Sequence, residues 1–216
     1  MLIIFDWDGT LCDSIEEIVA AMRSAAGELQ LEPPEPERVR NIVGLGLAQA
    51  VEMLFPALPA SRRGELASAY SRHYAAPERG PTPLFEGALD TLHGLRSRGL
   101  ELAVATGKSR RGLDRVLAEL ELADFFDATR CADETRSKPH PQMLHELMST
   151  RCKSPDEVVM VGDSAYDLEM AQNAGVRSVA VSFGVHDSAK LTRYGPLAVI
   201  DRLPELLDLA LLQAGS

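Results

Sequence analysis

The first ten residues constrain the fold more than any other stretch. Leu2-Ile3-Ile4-Phe5 is an unbroken apolar run that ends on Asp6-Trp7-Asp8-Gly9-Thr10-Leu11. Four apolar residues in a row, β-branched and aromatic among them, predict a strand buried on both faces, as in a parallel sheet. The acids begin where that strand should end, and Gly9 lets the backbone turn sharply. In open α/β sheets, ligands gather outside the carboxyl ends of strands. Two carboxylates placed there repel each other unless a cation or a shared proton relieves them. A strand closing on an ordinary Asp/Gly turn is the plainer alternative.

The next stretch is helical. Ser14 and Glu17 predict a capping box, and Ile15, Ile18, Val19, Met22, Ala25, Ala26 and Leu29 mark one helical face. Pro33-Pro34-Glu35-Pro36 breaks that helix. Further helices are expected over Glu37 to Val43, Leu47 to Phe55 and Ser61 to Ala75, with a turn at Gly44-Leu45-Gly46. No strand is expected between Ser14 and Ala76. Pro77, Gly80, Pro81 and Pro83 read as a stiff linker.

From Leu84 helices and strands alternate. Glu86 to Arg98 is a predicted helix with Leu89, Leu92 and Leu95 inward and Gly99 at its end. Strands are expected at Leu100 to Ala105, Asp127 to Arg130, Val158 to Val161, Arg177 to Ser182 and Leu197 to Ile200. Helices are expected after Ser109, from Pro141 to Thr150, from Ser164 to Ala174, and from Leu203 to Leu212. Alternation of this kind predicts an α/β fold, a doubly wound parallel sheet that is Rossmann-like. The helical stretch then becomes an insert placed directly after the first strand. The expected division is a discontinuous core, 1–13 and 81–216, with a small α-helical cap at 14–80.

Whole-chain properties narrow the function. With 216 residues, the chain has room for one large-cored domain plus a small insert. No apolar run approaches a membrane span, and Leu2 to Phe5 is too short for a signal-peptide core. Both points lead to the expectation of a cytoplasmic protein with no membrane partner. Cys12, Cys131 and Cys152 are too few and scattered for a disulfide framework. The net charge of −10 disfavours nucleic acid. It also opposes a small phosphorylated substrate, so a site for one needs its own local cations.

Three predicted strands end in polar groups: Asp6/Asp8, Thr106 and Asp163. Lys138 lies in the loop Lys138-Pro139-His140-Pro141, and Asp167 follows Asp163 by four residues. Each has a dull explanation. Thr106 can simply end a strand, Lys138 can be a solvated lysine, and Asp167 can be the far half of a cap on Ser164. Together they converge on one edge of one sheet. The ordered set Asp6-x-Asp8-Gly9-Thr10-Leu11, Thr106, Lys138-Pro139 and Gly162-Asp163-Ser164-x-x-Asp167 resembles the four motifs of the haloacid dehalogenase superfamily across essentially the whole chain. The nearest likeness is to its phosphoglycolate phosphatase-like branch, and the insert resembles that superfamily's small helical cap.

The resemblance implies a Mg²⁺-dependent phosphatase acting on a small phosphomonoester. It implies Asp6 as the nucleophile, Asp8 as acid and base, and Thr106 and Lys138 as phosphate and charge contacts. It implies Asp6, the Asp8 carbonyl and Asp163 around the metal, with Asp167 close by. Backbone N–H groups of Trp7 and Gly107 are expected donors. A hexose-phosphate mutase is the alternative within the family, and a catalytically silent binding protein the alternative outside it. Relatives often carry Asn or Ser where this chain has Gly107, which predicts weaker phosphate binding or a wider entrance. Lys108 next door either compensates for that lost donor or is an ordinary surface lysine, and the surface reading is preferred. The turn Val43-Gly44-Leu45-Gly46-Leu47 resembles the family's substrate-facing cap loop. Arg38, Arg40, Arg62, Arg63, Arg72 and His73 are possible substrate contacts, most of them solvated. His93, His140, His145 and His186 are expected to be surface or packing residues. The oligomeric state is not legible.

Overall fold

Leu2–Phe5 forms strand β1, and all four of its residues are fully buried. The computed structural model describes residues 1–76 and 82–210. After β1 come α1 (Ile15–Glu28), α2 (Pro36–Arg40), α3 (Leu47–Leu54) and α4 (Ala60–Tyr74). The alternating part follows with α5 (Ala88–Ser97), β2 (Glu101–Thr106), α6 (Arg110–Glu119), β3 (Ala128–Cys131), α7 (Gln142–Thr150) and β4 (Val158–Gly162). It ends with α8 (Ala165–Asn173), β5 (Arg177–Val181), α9 (Ser188–Thr192), β6 (Val199–Ile200) and a 3₁₀ segment, Leu203–Asp208.

The six strands form one parallel sheet in the order β3-β2-β1-β4-β5-β6. β1 is therefore central, and the order reverses around it, which makes the carboxyl end of β1 a topological switch point. Alternate residues serve opposite faces. Ile3, Phe5, Leu102, Val104, Val159 and Val161 pack with Leu92, Leu95, Leu113 and Val116 of α5 and α6. Leu2, Ile4, Ala103 and Met160 pack with Met143, Leu144, Leu147 and Met170 of α7 and α8. Helices on both faces explain why β1 has no polar alternation.

Helices α1 to α4 build a separate apolar core from Met22, Ala25, Val39, Val51, Leu66 and Ala69. No strand occurs among the described residues between Ser14 and Ala76. No described helix is long and apolar enough to cross a membrane. The three cysteines are free. Pro77, Gly80 and Pro81 of the expected linker lie outside the described residues, as do residues 211–216.

Three local expectations need correction. Ser14 makes no cap for α1: its hydroxyl donates to Asp8, while Glu17 accepts from the Thr82 hydroxyl. Leu89 is exposed rather than inward, because it sits one position off the stripe of Ala88, Thr91, Leu92 and Leu95. The closing α-helix is a 3₁₀ segment over Leu203–Asp208. Its two buried residues, Leu203 and Leu206, are three apart, the spacing that a 3₁₀ turn stacks on one face.

Candidate active site

The sheet continues just past β1. Asp6 N–H donates to the Val161 carbonyl at 2.9 Å, which holds Asp6 in line with the end of β4. The chain then turns, with Leu11 and Cys12 N–H both donating to the Trp7 carbonyl. Gly9 sits in the turn at φ +82°, and a Cβ there would come within 2.3 Å of Asp163 Oδ2. Both its conformation and its neighbour therefore require glycine.

Four of the expected side chains meet in one buried cluster. Lys138 Nζ lies 2.8 Å from Asp6 Oδ1 and 2.7 Å from Asp167 Oδ1. Asp167 is also the N3 residue of α8 and closes a capping box: its Oδ2 accepts from Ser164 N–H at 3.1 Å and Ser164 Oγ at 2.6 Å. One Asp167 carboxylate thus both caps α8 and faces the Lys138 ammonium. Asp163 accepts from the Thr10 hydroxyl at 2.9 Å and Val185 N–H at 2.8 Å. Asp6 Oδ1 also accepts from Trp7 N–H at 2.6 Å, whereas its buried Oδ2 has no partner among the described residues.

The charge in this cluster does not balance. Asp6, Asp163 and Asp167 offer oxygens that all lie within 4.8 Å of one another, and one ammonium faces them. Burial pushes the Asp6 carboxyl well above the usual range; Lys138 opposes this, and Asp167 and Asp163 add to it. Burial, with Asp167 beside it, raises Asp163 to about 7, against the pull of the Val185 N–H, the Thr10 hydroxyl and Lys138. Burial works against the Lys138 charge as well, but Asp167 and Asp6 outweigh it and hold the ammonium above an ordinary lysine. Three hard oxygen donors, an unpartnered Asp6 oxygen and excess negative charge fit a divalent cation such as Mg²⁺.

Asp8 belongs to a second, adjacent arrangement. Its Oδ1 accepts from Ser14 Oγ at 2.5 Å and lies 2.9 Å from Lys108 Nζ. Lys108 is therefore not the surface lysine expected. It is nearly buried, its Nζ also donates to the Tyr74 hydroxyl at 3.1 Å, and that Nζ lies 4.5 Å from the centre of the Tyr74 ring. Burial disfavours its charge, but Asp8, then Tyr74 and Tyr70, more than compensate and raise it. Thr106, fully buried at the end of β2, accepts from Lys108 N–H at 3.2 Å. Gly107 does not widen the entrance. A Cβ there would fall 2.6 Å from the Leu45 carbonyl oxygen and 2.7 Å from that of Gly44, so the cap turn fills the space.

That turn closes over a cavity of about 940 Å³ lined by Val43, Leu45 and Leu47 from the insert and by Asp8, Gly107 and Lys108 from the core. Gly46 N–H donates to Ser137 Oγ at 2.8 Å and Tyr166 to the Asn41 carbonyl at 3.0 Å, and these two bonds tie the insert down. Of the basic candidates, Arg72 lines the cavity and pairs with Glu28, as His73 does outside it. Arg40 and Arg63 pair with Glu16 and Glu52, and Arg38 and Arg62 donate to the carbonyls of Leu54 and Leu29. His186 is buried, with Nδ1 accepting from Ala165 N–H at 2.9 Å.

A family model for haloacid dehalogenase-like hydrolases matches residues 3–181. The chain belongs to the haloacid dehalogenase-like hydrolases. It is 33% identical to the Dickeya dadantii protein named "Probable phosphatase IndB", over 97% of this chain and 93% of that protein. It is 32% identical to phosphoglycolate phosphatase 1 of Pseudomonas aeruginosa, over 97% and 79% respectively. A solved haloacid dehalogenase-like hydrolase from Bacteroides fragilis superposes with a TM-score of 0.88 at 26% identity, covering 95% of this chain and 98% of that one. The haloacid dehalogenase-like chain is therefore an enzyme of the hydrolase class, and its curated relatives carry phosphatase names.

Proposed function

We propose that this hydrolase is a Mg²⁺-dependent phosphatase that cleaves a small phosphomonoester through an aspartyl-phosphate on Asp6. The observation that carries the reading is the Asp6 carboxylate itself. It is fully buried at the end of the central strand, with one oxygen on Lys138 and the other unpartnered among the described residues. The name of the Pseudomonas relative points to phosphoglycolate-like substrates.

Asp6, Asp163 and the Asp8 carbonyl would hold the metal, with Asp167 beside it. Bound there, the ion supplies the positive charge that lets a carboxylate approach a dianionic phosphate. Asp6 attacks phosphorus while the bond to the leaving oxygen breaks, and Asp8 gives that oxygen a proton. Asp8 then takes a proton from water, whose oxygen attacks phosphorus and frees Asp6, yielding alcohol and inorganic phosphate. Such acid–base help is worth about 10²–10⁴-fold. Lys138 offsets negative charge on Asp6 and the phosphoryl oxygens, and the Thr106 hydroxyl donates to one of them. Residues 14–80 act as a cap that covers the site and sets specificity, on a core formed by 1–13 and 81–216.

The test is hydrolysis of p-nitrophenyl phosphate. Turnover should need Mg²⁺, stop with a chelator and return on adding Mg²⁺. Asp6→Asn should be folded and inactive. Wild-type rates in Asp6→Asn, or full activity in metal-free protein, would overturn the mechanism.

A further inference from the structure

The cavity beside Asp8 carries cations that phosphoryl transfer at Asp6 leaves unused. Four of its lining residues are cationic, Arg72, Lys108, Arg111 and Arg115, and Asp8 is the one acid among the described residues that line it. The whole chain carries −10, so the balance is inverted at this wall. Arg72 is paired with Glu28 and Lys108 with Asp8. Arg111 makes no ion pair among the described residues. Arg115 comes no nearer to Glu119 than 3.6 Å, and its buried Nε has no hydrogen-bond partner among the described residues.

The placement is orderly. Arg111 and Arg115 stand four apart in α6, which puts them on one face of that helix, and Lys108 directly precedes its Ser109 cap. Tyr74 of α4 reaches across from the cap, with Lys108 Nζ at 4.5 Å and Arg115 Cζ at 5.7 Å from its ring centre. Both cations thus lie within reach of the ring's attraction. A guanidinium matches a carboxylate or phosphate through paired N–H donors. The cavity, about 940 Å³, is also far larger than one phosphoryl group fills.

We propose that this wall is a subsite for a second, non-transferred anionic group of the substrate, a carboxylate or a phosphate, bound by Arg111 and Arg115 beside Lys108. The proposal rests on the phosphatase reading for the position of the transferred group. It narrows the substrate class to phosphomonoesters with another anion, and it meets the need of an acidic protein for local positive charge.

Calorimetric titration with Mg²⁺ present tests the subsite without turnover. Phosphonoacetate and ethylphosphonate share a non-hydrolysable head, and the first alone carries a carboxylate; ethylenebisphosphonate carries a second phosphonate instead. Wild type should bind one of the two doubly charged compounds about tenfold or more tightly than ethylphosphonate, and the tighter of the two identifies the anion type. Arg111→Gln should reduce that preference to about threefold or less, as should Arg111→Gln/Arg115→Gln. Arg111 is exposed, so the single variant disturbs no core contact. Equal or undetectable binding of all three compounds by wild type overturns the subsite, and so does a preference that survives in both variants. Hydrolysis of p-nitrophenyl phosphate is read on the same protein. Selective binding without hydrolysis refutes the phosphatase reading and keeps the subsite, and hydrolysis without selective binding does the reverse.

Discussion

Gly107→Ala is the sharpest test of how closely the cap sits on the core. The added Cβ would meet the Leu45 oxygen at 2.6 Å, the Gly44 oxygen at 2.7 Å and the Gly44 carbonyl carbon at 2.9 Å. All three are backbone atoms, so no side chain can swing aside. Ordinary van der Waals contact begins near 3.4 Å, so the cap turn must retreat by roughly 0.8 Å. Overpacking of this size costs about 1–3 kcal/mol, which for a chain of this length lowers the melting temperature by roughly 2–12 °C. If the turn moves instead of straining, it stretches the 2.8 Å bond from Gly46 N–H to Ser137 Oγ, a loss of about 0.5–1.5 kcal/mol. A turn that moves carries the cap away from the reacting groups, and misplacement of this order costs up to ~10²-fold in rate. The assay is a thermal melt together with kcat/KM for the best phosphomonoester and for p-nitrophenyl phosphate. Gly64→Ala is the control: it lies inside α4 with nothing within 4 Å of a new Cβ, and it should raise stability by about 0.5–1 kcal/mol. A Gly107→Ala protein that melts and turns over like wild type would refute the contact.

Two further substitutions probe buried charge. Lys138→Met leaves Asp6 and Asp167 buried without their shared cation; it should remove activity and cost about 3–5 kcal/mol, read as a calorimetric melting loss of roughly 6–20 °C, and a loss under 2 °C would contradict the ion-pair geometry. His186 is held down to about 4, by burial first and then by Lys190. The folded protein therefore resists a proton that the unfolded chain accepts near 6.5. The stability this residue contributes is complete above about pH 6.5 and lost as pH falls toward 4. Urea midpoints should fall less steeply between pH 7 and 5 in His186→Asn than in wild type, and equal slopes would refute this role.

The sheet was legible because its strands announce themselves. Leu2 to Phe5 and Val158 to Val161 are apolar runs covered on both faces, and the acids at their ends locate the site edge. Local signals failed where distant partners took over. Ser14-x-x-Glu17 and Ser164-x-x-Asp167 have the same capping spacing, yet only the second forms its box. The first is dismantled because Asp8 takes the Ser14 hydroxyl and Thr82 donates to Glu17. Lys108 was misread for a similar reason: nothing local shows that Tyr74, thirty-four positions earlier, covers it. The four-residue spacing of Arg111 and Arg115 was visible in the chain and would have pointed to a basic helix face beside Lys108.

The central place of β1 also governs how the molecule is made. Leu2 pairs on one side with Glu101 and on the other with Val158. At synthesis rates of about 5–20 residues per second, the wait for β4 is roughly 8–30 s. During that time an apolar strand has an unpaired edge, and edges of that kind recruit other chains. Helices α1 to α4 have their own apolar core, built from nearby sequence, and contacts of that range form early. The insert can thus fold beside the waiting strand. The acids of the site can meet only once β4 is made, because Asp163 and Asp167 follow it in the chain.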